Sequence, residues 1–172
     1  MQMRSRGLHP SVLLALDVDG TIARVYREEE YADHANDPGW TSWMTVDDSV
    51  IDALDSVAKR SDVQVAWLTT WSPEQVGWLI RGPLVGKLVG PYVSHRNWPR
   101  SGWRLQSLVS FVREGRFSAV VWADDRADDE ASRQLRRLVD VPVLVVAPDK
   151  FLGLTQTDVA EIRRFVDKHH RT

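Results

Sequence analysis

The sequence predicts an α/β protein, a three-layer sandwich around a doubly wound, mainly parallel sheet of five strands. Short apolar runs alternate along the chain with segments of helical period, which is the pattern of parallel strands joined by helices. Continuous apolar runs such as residues 12–16 are typical of strands that are buried on both faces. Open parallel sheets bind their ligands beyond the carboxyl ends of the strands, so a functional site is expected at that edge.

The first third of the chain predicts one strand, an irregular insert and one helix. Residues 12–16 form the strand, and residues 23–46 after it are polar and irregular. Because this insert is too short for a separate domain, we expect residues 1–172 to form a single domain of common size. Residues 47–60 carry apolar side chains on one face and acidic residues near their start, which favours a helix.

The middle of the chain predicts a strand, a capped helix and another strand. Residues 63–68 are mostly apolar and form the second strand. Ser72 and Gln75 have the spacing of a capping box, and Pro73 suits the first position of the helix between them. A third strand is expected within residues 88–93.

The last part of the chain alternates helix and strand. Three segments carry apolar side chains at helical spacing, and two apolar runs lie between them. These two runs are the fourth and fifth predicted strands of the sheet. These elements are expected at residues 105–115, 117–123, 131–139 and 141–147, followed by a helix that begins near Thr155 and includes Val166.

The composition excludes several classes of function. The net charge of −2 argues against a general nucleic-acid coat or a protein of the membrane surface. The chain has no cysteine, which excludes disulfides, zinc–thiolate sites and cysteine nucleophiles. The run at residues 12–16 is too short for a signal-peptide core, and no stretch approaches membrane-spanning length. We therefore expect a cytoplasmic protein with no membrane partner, whose oligomeric state the sequence does not predict.

The first strand ends in two carboxylates, a glycine and a hydroxyl, in the order Asp17, Val18, Asp19, Gly20 and Thr21. Side chains alternate along a strand, so Asp17 and Asp19 are expected to point the same way. Two like charges at this spacing repel each other, and one of them must be neutralised by a proton or a cation. An Asp-rich turn is the simpler interpretation, but the apolar strand before the motif and Gly-Thr within it favour a functional site.

Two later strands also end in polar residues. Thr69 and Thr70 follow the second strand, and Asp124 and Asp125 follow the fourth. Taken alone, Thr69 is typical of a helix-capping hydroxyl and the acidic pair of a solvated turn. The carboxyl ends of parallel strands meet at one edge of a sheet, so we expect these side chains to lie beside the first motif.

The sequence Asp-Val-Asp-Gly-Thr at residues 17–21, with the two later strand ends in this order, resembles the first, second and fourth motifs of the haloacid-dehalogenase (HAD) superfamily of phosphohydrolases. Residues 67–71, Trp-Leu-Thr-Thr-Trp, and residues 153–155, Gly-Leu-Thr, are also similar to a little-studied group of small bacterial members. The resemblance implies a HAD-like fold in which residues 23–46 form a flap or a minimal cap over the site.

The same resemblance implies a role for each matching residue. Asp17 would attack phosphorus to form an aspartyl-phosphate, and Asp19 would act as general acid and then general base. Thr69, with Thr70, would bind the phosphoryl oxygens. Mg²⁺ would be held by Asp17, by the main-chain carbonyl of Asp19 and by Asp124, which are the hard oxygen ligands that this ion prefers.

The third motif of the family, a cation near the phosphate, is where the sequence departs from the pattern. Lys87 lies before the third predicted strand, whereas Arg104 lies at the start of the following helix, where the family's cation usually comes. We favour Arg104 as a phosphate-binding residue and keep Lys87 as the alternative. Asp125 and Asp128 are expected to lie next to the metal ligands and support them, whereas Asp129 and Glu130 favour a solvated helix start.

The substrate class is predicted from the tryptophans and from the short insert. An insert of this size leaves the cleft open to a bulky phosphoester, and tryptophans at the rim offer flat surfaces for a base. We therefore expect a phosphorylated small molecule, such as a nucleotide, or a nucleic-acid end, as in a nucleotidase. Packing of a small cap on the core explains the tryptophans equally well. A HAD-like binding or regulatory protein without turnover is the alternative function. The tryptophans near the predicted cleft are Trp40, Trp43, Trp71, Trp98 and Trp103.

Overall fold

A computed structural model describes residues 11–30 and 44–169 of the chain. Its centre is a sheet of four strands, all parallel, in the order β2-β1-β3-β4. β1 lies in the interior of the sheet because its five residues form a continuous apolar run that is buried throughout. The strands are β1 (Val12–Leu16), β2 (Val63–Trp67), β3 (Ala119–Ala123) and β4 (Val143–Val146).

Five helices of nine residues or more accompany the sheet in the part of the chain that the structure describes, and residues 28–30 are also helical. The predicted capping box is confirmed: Ser72 and Gln75 exchange side-chain and backbone hydrogen bonds, and Pro73 occupies the first helical position. The predicted alternation of helices and strands after residue 100 is also confirmed. The helices are α1 (Asp48–Ala58), α2 (Pro73–Arg81), α3 (Trp103–Gly115), α4 (Asp129–Leu138) and α5 (Gln156–His169).

Hydrophobic residues pack on both faces of the sheet. Leu14 and Leu16 belong to one buried cluster, together with residues of α1, α2 and α5. Leu13 and Ala15 belong to a second cluster, with residues of α3 and α4. Because side chains alternate along a strand, the two clusters lie on opposite faces, which makes the molecule a three-layer α/β sandwich.

The predicted fifth strand is the main difference from expectation. Residues 88–93 make only one isolated parallel bridge, between Trp67 and Tyr92. The Trp67 N–H donates to the Pro91 carbonyl and the Val93 N–H donates to the Trp67 carbonyl, each over 2.8 Å. Extending this ladder toward the N-terminus requires an N–H on residue 91, which proline lacks. Pairing therefore stops after one bridge, and the described residues form a four-stranded sheet.

The insert at residues 23–46 is described only at its two ends. Arg24 and Thr45 form an antiparallel bridge, and the Tyr26 hydroxyl is hydrogen-bonded to Thr45, so the two ends of the insert lie side by side. Trp40 and Trp43, predicted at the rim of the cleft, lie outside the described residues. In the residues that are described, none of the helices combines the length and the apolarity that crossing a membrane requires.

Candidate active site

The parallel register of the sheet brings the first and fourth motifs together. Leu16 and Ala123 are paired at the ends of β1 and β3, so Asp17 and Asp124 follow the sheet side by side. The Asp17 N–H donates to the Ala123 carbonyl over 3.0 Å, which extends the ladder by one residue and fixes the backbone beneath the carboxylate. Asp17 is 2% exposed and Asp124 is fully buried. Two acids in a core of this kind need partners.

A third carboxylate joins this pair. Asp17, Asp124 and Asp125 each present one carboxylate oxygen, and these three oxygens all lie within 4.8 Å of one another. The Asp125 N–H donates to the Thr21 hydroxyl over 3.0 Å, which connects the fourth motif to the first. A Cβ atom on Gly20 would lie 2.7 Å from the Asp125 Cγ atom, and Gly20 has φ +74°, so only glycine fits there.

Arg104, in the first turn of α3, is the cation that contacts these acids. Its Nη2 atom lies 3.5 Å from Asp17 Oδ2, and its Nε atom lies 3.0 Å from Asp124 Oδ2. The second contact is an ion pair without hydrogen-bond geometry, since neither atom has a hydrogen-bond partner among the described residues. Arg104 therefore pairs with two of the three carboxylates, whereas Asp125 makes no ion pair in the described part of the chain.

Burial and mutual repulsion disfavour the ionised forms of the three acids. Burial, together with the charge of Asp124, raises the pKa of Asp17 from its ordinary 3.8 to about 7, while Arg104 opposes the shift. Burial also raises the pKa of Asp124, again against the effect of Arg104. The pKa of Asp125 is raised mainly by burial and is opposed by Arg126 and Arg104. A cation bound among the three carboxylates would favour their ionised forms.

The donor atoms of the cluster suit a hard divalent cation such as Mg²⁺. Asp124 Oδ2 and Asp125 Oδ1 are buried and have no hydrogen-bond partner among the residues the structure describes. Carboxylate oxygens are the ligands that Mg²⁺ prefers, and a cation at this position would serve the oxygens that the protein leaves unsatisfied. The sequence predicted Asp17 and Asp124 as metal ligands but assigned Asp125 only a supporting place, whereas the structure groups all three.

Asp19 is held apart from this cluster. Its carboxylate is exposed, and its Oδ2 atom accepts a hydrogen bond of 2.9 Å from the indole nitrogen of Trp71. Trp71 itself is only 6% exposed. The expectation that Trp71 offers a flat surface at the rim is therefore wrong, because its ring packs in the core and its N–H orients Asp19. No pattern in the sequence indicated this contact, which joins residues 52 positions apart.

The two threonines of the second motif have different environments. Thr69 is fully buried, and its hydroxyl acts as a hydrogen-bond donor that lowers the pKa of Asp17. The Thr69 carbonyl lies 2.6 Å from His95 Nε2, which must carry the proton, and accepts a hydrogen bond of 3.3 Å from the Tyr92 hydroxyl. Thr70 is exposed. Sequence reasoning did not identify the contacts of His95 and Tyr92.

The remaining predicted residues lie away from the carboxylate cluster. Lys87 pairs with Asp52 of α1, with 2.5 Å between Nζ and Oδ1, so of the two candidate cations Arg104 is the one that contacts the acids. Asp128 caps α4, where its Oδ1 atom accepts a hydrogen bond of 2.7 Å from the Ala131 N–H. Its role in the structure is therefore to begin a helix.

Comparison of the chain with protein-family models, with curated proteins and with solved structures gives no match. The resemblance of the motifs to the HAD superfamily stays a prediction. A function is therefore inferred from the chemistry of the site itself: three clustered carboxylates, one arginine, a buried threonine and a separate exposed carboxylate.

Proposed function

We propose that the protein is a Mg²⁺-dependent phosphatase that hydrolyses a phosphomonoester through an aspartyl-phosphate on Asp17. The observation that carries the proposal is the cluster of Asp17, Asp124 and Asp125, with oxygens within 4.8 Å, at the ends of two neighbouring strands. Buried acids with unpartnered oxygens destabilise a protein unless a ligand compensates them. A cation together with a phosphoryl group is a ligand of this kind.

In the proposed reaction one acid is the nucleophile and a second acid is the general acid and general base. A carboxylate oxygen of Asp17 attacks phosphorus, the bond from phosphorus to the leaving oxygen breaks, and Asp19 gives its proton to that oxygen. Water then attacks phosphorus, gives a proton to Asp19, and releases inorganic phosphate and the free Asp17 carboxylate. The environments support this division, since Asp17 is buried beside Arg104 whereas Asp19 is exposed and held by the Trp71 indole.

The other residues bind charge. Asp17, Asp124 and Asp125 would hold Mg²⁺, which keeps Asp17 ionised and offsets the charge that develops on the phosphoryl group. Arg104 supplies a planar, permanently charged donor for phosphoryl oxygens. Thr69 supplies a hydroxyl beside Asp17, and the His95 and Tyr92 contacts to its carbonyl keep that turn in place.

The fold supports the same proposal at a coarser level. Starting from β1, the chain places β2 on one side and β3 and then β4 on the other, and ligands of parallel sheets bind where the strand order reverses in this way. Asp17 follows β1 at this point. We therefore retain a doubly wound, HAD-like layout and a cytoplasmic location as parts of the proposal.

Hydrolysis of p-nitrophenyl phosphate tests the proposal. We expect p-nitrophenolate release with Mg²⁺, loss of that release with EDTA, and recovery when Mg²⁺ is returned. Asp17→Asn protein purified in the same way is the control for a contaminating phosphatase. Absence of hydrolysis with this ester and with a panel of phosphorylated metabolites would contradict the proposal, and binding of such a compound without turnover would favour a regulatory protein.

A further inference from the structure

We propose that the cavity beside Arg104 binds the leaving group of the substrate, and that this group is a nucleoside with a second phosphate. The inference rests on the proposed phosphatase function and names its substrate class. The cavity has a volume of about 520 Å³, within the usual range for small-molecule sites. It lies between residues 98–105 and the start of α4, and Thr70 and Arg104 belong to its lining. Arg104 both lines the cavity and contacts Asp17, so we place the leaving group of a phosphomonoester bound at Asp17 here.

One wall of the cavity presents an aromatic surface that is held in place. Trp98 is 51% exposed, although large aromatic side chains usually bury most of their area. The ring of Trp103, itself 5% exposed, meets Trp98 edge-on with 4.9 Å between centroids. His95 packs against both tryptophans, at 5.4 Å from Trp98 and 4.1 Å from Trp103. A fixed and exposed indole is suited to stacking on a nucleobase, which contributes about 1–3 kcal/mol per base.

Two arginines of the cavity lining make no ion pair in the described part of the chain, although the charge of Arg126 acts on Asp125 from a greater distance. Arg100 and Arg126 line the cavity and are exposed, and neither lies within salt-bridge distance of a carboxylate in the described part of the chain. Two acidic residues of the lining are already engaged. Asp128 accepts a hydrogen bond from a backbone N–H of α4, and Glu130 is hydrogen-bonded to Arg133 and Gln134.

The lining therefore favours an anion in addition to a flat ring. Arg104 already contacts the carboxylates where the reacting phosphoryl group would bind, so Arg100 and Arg126 are left for a second anionic group. A sugar phosphate has no flat aromatic ring to stack on Trp98. A nucleoside monophosphate has no second phosphate for the two arginines. A nucleoside bisphosphate, or the last nucleotide of a phosphorylated strand, has both.

Two measurements test this inference. In turnover, kcat/KM should fall in the order adenosine 3′,5′-bisphosphate, adenosine monophosphates, ribose 5-phosphate. Trp98→Ala should lower the ratio of kcat/KM for adenosine monophosphate to that for ribose 5-phosphate about tenfold, because stacking is lost. Arg126→Gln should lower the ratio of kcat/KM for the bisphosphate to kcat/KM for the monophosphate about tenfold, because a charge-assisted contact is lost. A phosphorylated dinucleotide in place of the bisphosphate distinguishes a strand end from a free nucleotide.

In binding, calorimetry with adenosine 3′,5′-bisphosphate and the Asp17→Asn protein, with Mg²⁺ present, gives a readout that does not depend on turnover. Trp98→Ala in that background should weaken binding, and Trp98→Phe should restore most of it. Trp78→Ala and Arg136→Gln are matched controls, since Trp78 is 49% exposed, Arg136 is exposed, and both lie outside the cavity.

The outcomes separate the two proposals. If the protein hydrolyses p-nitrophenyl phosphate but Trp98→Ala and Arg126→Gln leave both kcat/KM ratios unchanged, the proposed substrate class is overturned and the phosphatase is retained. Bisphosphate binding that depends on Trp98, without hydrolysis of any ester, would support the cavity and overturn the phosphatase. No binding of the bisphosphate to well-folded Asp17→Asn protein, checked by thermal denaturation, would overturn this inference.

Discussion

Two regions of the protein contain buried carboxylates, and the partners of the carboxylate oxygens differ between the two regions. On α1, Asp55 is 5% exposed, and both of its oxygens have partners. Asp55 Oδ1 accepts a hydrogen bond of 3.0 Å from the Leu88 N–H, and Oδ2 lies 2.6 Å from Lys59 Nζ. In the site, Asp125 Oδ1 has neither a hydrogen bond nor an ion pair among the described residues, and Asp124 Oδ2 has only the ion pair with Arg104. The fold compensates Asp55 on its own, whereas the proposed cation would complete the partners of the cluster.

This contrast separates a structural acid from a functional one. A buried charge costs free energy unless a partner compensates it, so an acid with both oxygens paired is explained by the fold alone. Asp17 and Asp124 share one arginine, and Asp125 beside them makes no ion pair in the described part of the chain. The proposed cation, or a phosphoryl group, would compensate these acids.

The largest expected effect is on turnover. Asp17→Asn should abolish phosphatase activity, since an amide oxygen is not a competent nucleophile. Asp55→Asn is a substitution of the same type in the structural region. It should leave kcat within about twofold, because it changes only surroundings that are distant from the reacting atoms. Steady-state kinetics on p-nitrophenyl phosphate makes the comparison. Near wild-type activity in Asp17→Asn would reject its role as the nucleophile.

The next effect concerns the acid/base assignment. Asp19→Asn should lower kcat by about 10²–10⁴-fold, the usual contribution of general acid–base catalysis, while phosphoryl transfer to Asp17 stays possible. Rapid-quench kinetics should then detect phosphate on the protein with an activated ester. If kcat of Asp19→Asn equals that of the wild type, another residue must protonate the leaving group.

A smaller effect distinguishes the two candidate cations. Arg104→Ala should reduce kcat/KM by about 10–150-fold, the equivalent of about 1.5–3 kcal/mol for a hydrogen bond to a charged group. Lys87→Ala should have little effect on activity, because Lys87 pairs with Asp52 and makes a partly exposed ion pair. The opposite ranking in kcat/KM would move the phosphate-binding cation to Lys87.

The last prediction concerns the stability of the metal-free protein, which is measured without turnover. The folded-state pKa of Asp17 is about 7, above its ordinary 3.8, so the folded chain binds a proton more tightly than the unfolded chain between those values. The contribution of this group to the free energy of unfolding is therefore largest below about pH 4, and it decreases as the pH rises to 7. Urea denaturation in EDTA should show this decline, and Asp17→Asn should reduce it. A decline of the same size in Asp17→Asn would assign the trend to other groups.

Much of the site could be predicted from the sequence because it follows from strand periodicity. Asp17 and Asp124 each come directly after a buried apolar run, and parallel pairing of such runs brings their ends together. Arg104 could be proposed because the start of this helix is where the cation of the HAD family usually comes. The capping box of α2 is local and is readable from four residues.

The rest depended on contacts between distant segments, which patterns along the chain do not reveal. The bridge between Trp67 and Tyr92 stops at Pro91, although the surrounding residues read as a strand. Trp71 resembled an exposed aromatic residue because it lies in a loop, yet it is buried and donates to Asp19. Asp124 was expected to be the ligand from the family resemblance and Asp125 only a supporting residue, whereas the turn after β3 brings both carboxylates to the cluster.

The central claim is that the acids at the ends of β1 and β3 form a site for a divalent cation, and calorimetric titration with Mg²⁺ tests it most directly. We expect the wild-type protein and Asp55→Ala to bind Mg²⁺, and Asp124→Ala to lose that binding, because it removes one of the three clustered carboxylates. Thermal denaturation of each protein in EDTA checks that the variants are folded. Unchanged Mg²⁺ affinity in folded Asp124→Ala, or no Mg²⁺ binding by the wild type, would contradict the account.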